Sequence, residues 1–190
     1  DIKTSAWRYV TVYRFDDPSL ADFRNGSKFA LTWHTNAPYA GAGCLRATAT
    51  ASSSWAHALY KLDVSADANW RDATKMRVHA IFPPDMGDAG LTRLDTIFSF
   101  WTNNVERRLQ MTLDNAWHVY EYSLNSNDFQ SPPITLNLVV QPFGAMIKPG
   151  DWFQLDEIEI FTWDEIPEPA APALLFGLLH LAAVQRAAAR

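Results

Sequence analysis

The 190-residue chain has a single cysteine, Cys44, so no intrachain disulfide can form and the core must supply the stability. Cys44 itself reads as a small buried thiol in a strand. No long run of one charge appears, and the net charge is −5 with a pI near 5.4. Such a surface repels a phosphate backbone, which excludes nucleic acid as a partner. The start, Asp1-Ile2-Lys3-Thr4, has no basic region leading into an apolar run. The expectation is a chain from which an export signal has been removed. Before Pro167 no stretch holds a 3.6-residue apolar period for three turns, and there is no repeat or low-complexity segment.

Catalytic motifs are missing as well. There is no G-x-S-x-G elbow, P-loop, G-x-G-x-x-G or H-E-x-x-H. The histidines His34, His57, His79, His118 and His180 are scattered singly. His57 and His79 are expected to face outward on neighbouring strands, but two ligands without a third make no metal site. Asp156, Glu157 and Glu159 lie on one strand, not across a cleft as glycosidase chemistry requires. The chain reads as a non-enzyme.

What is present is an aromatic-rich globular body. Hydrophobic residues make up 48% and aromatics 13%, which supports a packed core and argues against disorder. Short alternating segments recur between turn signals. They run from Trp7 to Phe15, Lys28 to Trp33, Cys44 to Thr50, Trp55 to Leu62 and Lys75 to Phe82. Further segments run from Leu94 to Trp101, Arg107 to Leu113, Trp117 to Leu124, Ile134 to Gln141 and Trp152 to Phe161. About ten short strands of this kind predict an all-β sandwich or barrel. One helical turn is expected within Ala66 to Ala73.

Strand parity assigns faces. Ile134, Leu136, Leu138 and Val140 point to the core, while Asn137, Val139 and Gln141 point out. Met76, Val78, Ala80 and Phe82 point in, opposite Arg77, His79 and Ile81. Phe98 and Phe100 point in, opposite Asp95, Ile97, Ser99 and Trp101. Near the end the parity flips: Phe153 and Leu155 read as core before Asp156-Glu157, Ile158 and Ile160 after it. A bulge there would re-aim a carboxylate.

This pattern resembles a carbohydrate-binding jelly roll, most closely the family 11 carbohydrate-binding modules. Phe15-Asp16-Asp17, the Gly43 turn into Leu45 to Thr50 and Tyr60-Lys61-Leu62 carry the likeness. So do Asn69-Trp70-Arg71, Trp117 to Tyr122 and Phe153 to Ile160. The resemblance implies a jelly-roll β-sandwich of about ten strands over residues 1–163. It also implies a structural calcium held by Asp16 and Asp156, since calcium takes six to eight oxygens mixing carboxylates and carbonyls. Sugar binding needs aromatic faces with planar polar groups beside them. The outward candidates are Trp55, His79, Trp101, Arg108, Asn137 and Gln141; a groove lined by Trp101, His79 and Gln141 would favour binding, a flat polar sheet the structural role. Trp7, Trp70, Trp117 and Trp152 read as structural.

After Phe161 the composition changes. Residues 164–190 hold Pro167-Glu168-Pro169, an apolar stretch from Ala170 to Val184 expected to form a short helix, and Arg186 and Arg190. This resembles the PEP-CTERM sorting signal of exosortase-processed bacterial surface proteins. It implies an exosortase-type partner, transient contact with the inner membrane, and delivery to the cell surface or outside. At about 15 residues the stretch is short of the roughly 20 that span a bilayer. The expected function is an exported, non-catalytic exopolysaccharide- or glycan-binding module. The alternative is a structural biofilm-matrix or adhesion protein without a small soluble ligand.

Overall fold

A computed structural model of the chain describes residues 5–101, 105–125, 129 and 133–165. Eleven strands appear among them: β1 (Ser5–Tyr13), β2 (Arg24–Asn25), β3 (Phe29–His34), β4 (Cys44–Ala49), β5 (Ala56–Lys61) and β6 (Lys75–Ile81). The rest are β7 (Arg93–Trp101), β8 (Val105–Gln110), β9 (His118–Ser123), β10 (Thr135–Phe143) and β11 (Trp152–Glu165). The helical turn expected within Ala66 to Ala73 is a pair of 3-10 turns, Val64–Ala66 and Ala68–Trp70. The expected sorting motif, Pro167, Glu168 and Pro169, and the apolar stretch 170–184 lie outside the described residues.

Two antiparallel sheets form. One runs β3-β4-β11-β6-β9, with β1 also paired to β11; the other runs β2-β5-β10-β7-β8. The expected all-β jelly-roll sandwich is therefore the fold. By contacts, Arg8–Thr162 is one compact unit, and Asp1–Trp7 with Trp163–Arg190 is another. Within the smaller unit Trp7 meets Trp163 edge-on at 5.8 Å. Both residues are about half exposed.

Parity explains the core of the larger unit. Leu136, Leu138 and Val140 of β10 are buried against Phe98 and Phe100 of β7 and Met76, Val78 and Ala80 of β6. The two sheets meet directly where Phe98 packs edge-on against Tyr122 at 4.9 Å, beside a Thr96–Tyr122 hydroxyl contact of 2.6 Å. Trp70 is fully buried beneath Tyr13, Phe100 and Phe129. β10 runs two residues past its expected end because Pro142 costs no ladder bond there. The β5 ladder has already stopped at Val140, while pairing with β7 continues through Pro142 and Phe143.

The flip in β11 is a bulge. The register to β6 shifts between Asp156 and Ile158, and Glu157 takes a left-handed φ of 40°. One extra residue lets Phe153, Leu155, Ile158 and Ile160 all reach the core. It also turns two successive carboxylates, Asp156 and Glu157, toward the outer side of the sheet.

Candidate functional site

The site residues expected from sequence divide between the two outer faces. On the β2-β5-β10-β7-β8 sheet, Asn137 and Gln141 of β10 pair with Ser99 and Asp95 of β7, and Ile97 pairs with Arg108 of β8. The register shift at Leu138/Val139 places an extra residue on β5. His57 and Tyr60, three apart, therefore share this outer face, opposite Val139 and Asn137. A two-residue period hides that pairing.

Together with Gly26, Ser27, Leu62 and Thr135, the side chains of His57, Tyr60, Trp101 and Asn137 line a cavity of about 470 Å³. Trp101 is 44% exposed, and its ring meets His57 edge-on at 5.8 Å. Asn137 beneath is 1% exposed; its Nδ2 donates to Ser99 Oγ at 3.0 Å, and its Oδ1 lies 3.2 Å from His57 Nδ1. With Oδ1 accepting, His57 donates from Nδ1 and keeps Nε2 as an acceptor when neutral. Gly26 is required at the rim, because a Cβ there would stand 2.0 Å from the His57 carbonyl oxygen. Val139 and Ile97 on this face point outward yet are buried.

Beyond this cavity the same face carries a polar cluster. Arg108 Nη1 donates to Gln141 Oε1 at 2.6 Å and to Asp95 Oδ2 at 3.3 Å. Arg93 stands over Phe143 at 4.1 Å and approaches Asp95 Oδ1 at 3.0 Å. Asp95 points outward as parity assigned, but it is buried under these two guanidiniums, so it is a positioning carboxylate.

The structure thus brings Trp101 and Asn137 together and sets Arg108 and Gln141 side by side on the same face. Trp55 precedes β5, its N–H bound to Ser53 Oγ at 3.1 Å, and it does not line the cavity. His79 does not belong to this groove, nor is it on a strand neighbouring His57. It sits on β6 in the opposite sheet, because parity tells inside from outside but not which sheet a strand joins. His57 and Tyr60, which line the cavity, and Ser99 and Asp95, which support this face from below, were not among the expected site residues. The only signal for the covered floor was the outward pair Val139 and Ile97.

Asp16 and Asp156 converge on one loop. Asp16 Oδ1 accepts the Ala42 N–H at 3.0 Å, and Asp156 Oδ2 accepts the Ala40 N–H at 2.9 Å. Burial pushes the Asp156 pKa up, and the Glu157 charge adds to that, against the N–H groups of Ala40, Glu157 and Tyr39. Gly41, at φ 65°, makes room: a Cβ there would lie 1.6 Å from Asp16 Oδ1. Each carboxylate keeps unused acceptor directions. Carboxylate oxygens are the donor type that a hard cation such as calcium takes.

No protein-family model and no curated relative matches the chain. Solved structures do. One described with the carbohydrate-binding modules of the β-sandwich superfamily aligns at TM-score 0.57 and 16% identity, over 82% of this chain; the chain spans 62% of that one. A CBM22 xylan-binding domain from Paenibacillus barcinonensis aligns at TM-score 0.53 and 13% identity, covering 85% of this chain and 97% of its own. A CBM27 module from Caldicellulosiruptor saccharolyticus, solved with mannohexaose, aligns at TM-score 0.59 and 11% identity, over 81% and 97%. At these identities the likeness establishes the jelly-roll fold.

Proposed function

We propose that the chain is a non-catalytic carbohydrate-binding module that holds a polysaccharide on the outer face of the β2-β5-β10-β7-β8 sheet. The observation that carries this is Trp101, an exposed indole over a buried, hydrogen-bonded Asn137 and beside His57. An indole face stacks on the apolar face of a pyranose, while imidazole, amide and phenol groups meet hydroxyls at the rim. The solved structures that share this fold, a xylan-binding domain and a module solved with mannohexaose among them, support the same reading. Asp95 is held between Arg93 and Arg108, which suits fixing the floor and not proton transfer.

The finer assignment rests on the tail. Its resemblance to the PEP-CTERM signal supports export, exosortase processing near Pro167 to Pro169 and an exopolysaccharide at the bacterial surface as the ligand. Calcium at Asp16 and Asp156 would lock the 40–42 loop to β11 and raise stability. Affinity electrophoresis against xylan, mannan and bacterial exopolysaccharides tests the glycan reading. Retardation that Trp101→Ala removes is expected. Passage of the wild type through every gel would instead favour the matrix or adhesion role. Chelation should lower the melting temperature and calcium restore it; an unchanged melting temperature would rule out the ion.

A further inference from the structure

The bulge that turns Asp156 toward the 40–42 loop also turns Glu157 toward a different set of groups. On the outer face of β6 and β11, one ligating atom each of His79, Glu157 and Glu159 lies within 4.8 Å of the others. His79 Nε2 and Glu159 Oε2 are 3.2 Å apart. Ligand atoms bonded at about 2.0–2.1 Å to one tetrahedral ion stand roughly 3.3 Å from one another. The His79–Glu159 pair already has that spacing, and a side-chain adjustment of Glu157 completes a triad.

Three neighbours prepare the triad. Arg77 grips Glu159 from the side, Nε to Oε2 at 2.6 Å and Nη2 to Oε1 at 3.3 Å, which fixes the carboxylate and leaves acceptor directions open. Tyr39 stacks on the His79 ring at 3.8 Å and holds its plane. Arg14 reaches Glu157 only at 3.9 Å from a mostly exposed side chain, a contact that yields easily. His79 is 4% exposed, and its Nδ1 meets no hydrogen-bond partner. The Arg77–Glu159 pair alone does not explain the turning of Glu157 to the same place.

We infer that His79, Glu157 and Glu159 form a site for a divalent transition metal of zinc type, with a fourth position left to water or a ligand. One imidazole and two carboxylates suit zinc-type ions, whereas calcium selects oxygen alone. The site is separate from the oxygen-only pair Asp16 and Asp156, and it does not depend on the glycan reading.

Chelator-stripped protein should be titrated with zinc by calorimetry and with cobalt(II) by visible absorption. One saturating equivalent is expected. Glu157→Gln should weaken zinc by at least about tenfold and remove the zinc-induced rise in melting temperature. His79→Gln should do the same. Absence of saturable binding would overturn the site, as would equal affinity in the wild type and Glu157→Gln. If His79→Gln fails to fold, Glu157→Gln decides alone, since Glu157 lies at the surface of the sheet.

Discussion

Gly41→Ala probes the loop that joins Asp16 to β11. Gly41 has a φ of 65°, and an alanine Cβ would sit 1.6 Å from Asp16 Oδ1 and 2.7 Å from its Cγ. The backbone cost of a non-glycine residue in this region is about 1–3 kcal/mol. The Cβ also evicts the Asp16 carboxylate from the Ala42 N–H, a bond to a charged group worth about 1.5–3 kcal/mol, with the low end fitting its exposed setting. The sum is roughly 3–5 kcal/mol. At about 2–4 °C per kcal/mol for a domain of this size, the melting temperature should fall by roughly 6–20 °C. Gly150→Ala is the control. It has a φ of 93°, but a Cβ there meets nothing within 4 Å, so only the backbone cost applies. Calorimetry on both variants separates the two effects. Equal losses would refute the claim that Asp16 anchors the loop.

Two other predictions concern ionisable groups shifted by their surroundings. Burial opposes ionisation of Glu159, but the Arg77 guanidinium and His79 outweigh it and hold its pKa below the ordinary glutamate value. A depressed folded-state pKa stabilises the protein above the unfolded value, and that stability disappears as pH falls through the folded value. Urea midpoints of metal-free protein between about pH 7 and about pH 3 should therefore drop more steeply for the wild type than for Glu159→Gln; identical slopes would contradict the pairing. Burial first, and then the Asp156 charge, pushes the Cys44 thiol up to about 11, and the residue is fully enclosed. A disulfide reagent at about pH 8 should label it only after denaturation; rapid native labelling would show that β4 is not packed as described.

Much of the fold was legible because strands have a two-residue period. The burial of Leu136, Leu138 and Val140 and the flip at Asp156-Glu157 both follow from that period alone. The site was less legible for three physical reasons. Periodicity does not say which sheet a strand joins, so His79 was grouped with Trp101 although the sandwich puts them on opposite faces. A bulge can hide behind small residues: around Ala58 it realigns His57 with Tyr60, and nothing in the alternation marks it. An outward acid reads as solvated, yet Asp95 is covered by Arg93 and Arg108, whose reach depends on register across β7 and β8. The strand β2 was missed because two residues carry no period.

Backbone and indole NMR resonances of the larger unit, followed during titration with the polysaccharide that retards the wild-type chain, test the central claim most directly. The Trp101 indole N–H and the amides of His57, Ser99 and Asn137 should shift together and saturate, while those of His79 and Glu159 on the opposite sheet stay in place. Saturable shifts confined to the β6 and β11 face, or none on either face with any polysaccharide, would contradict the proposed glycan groove.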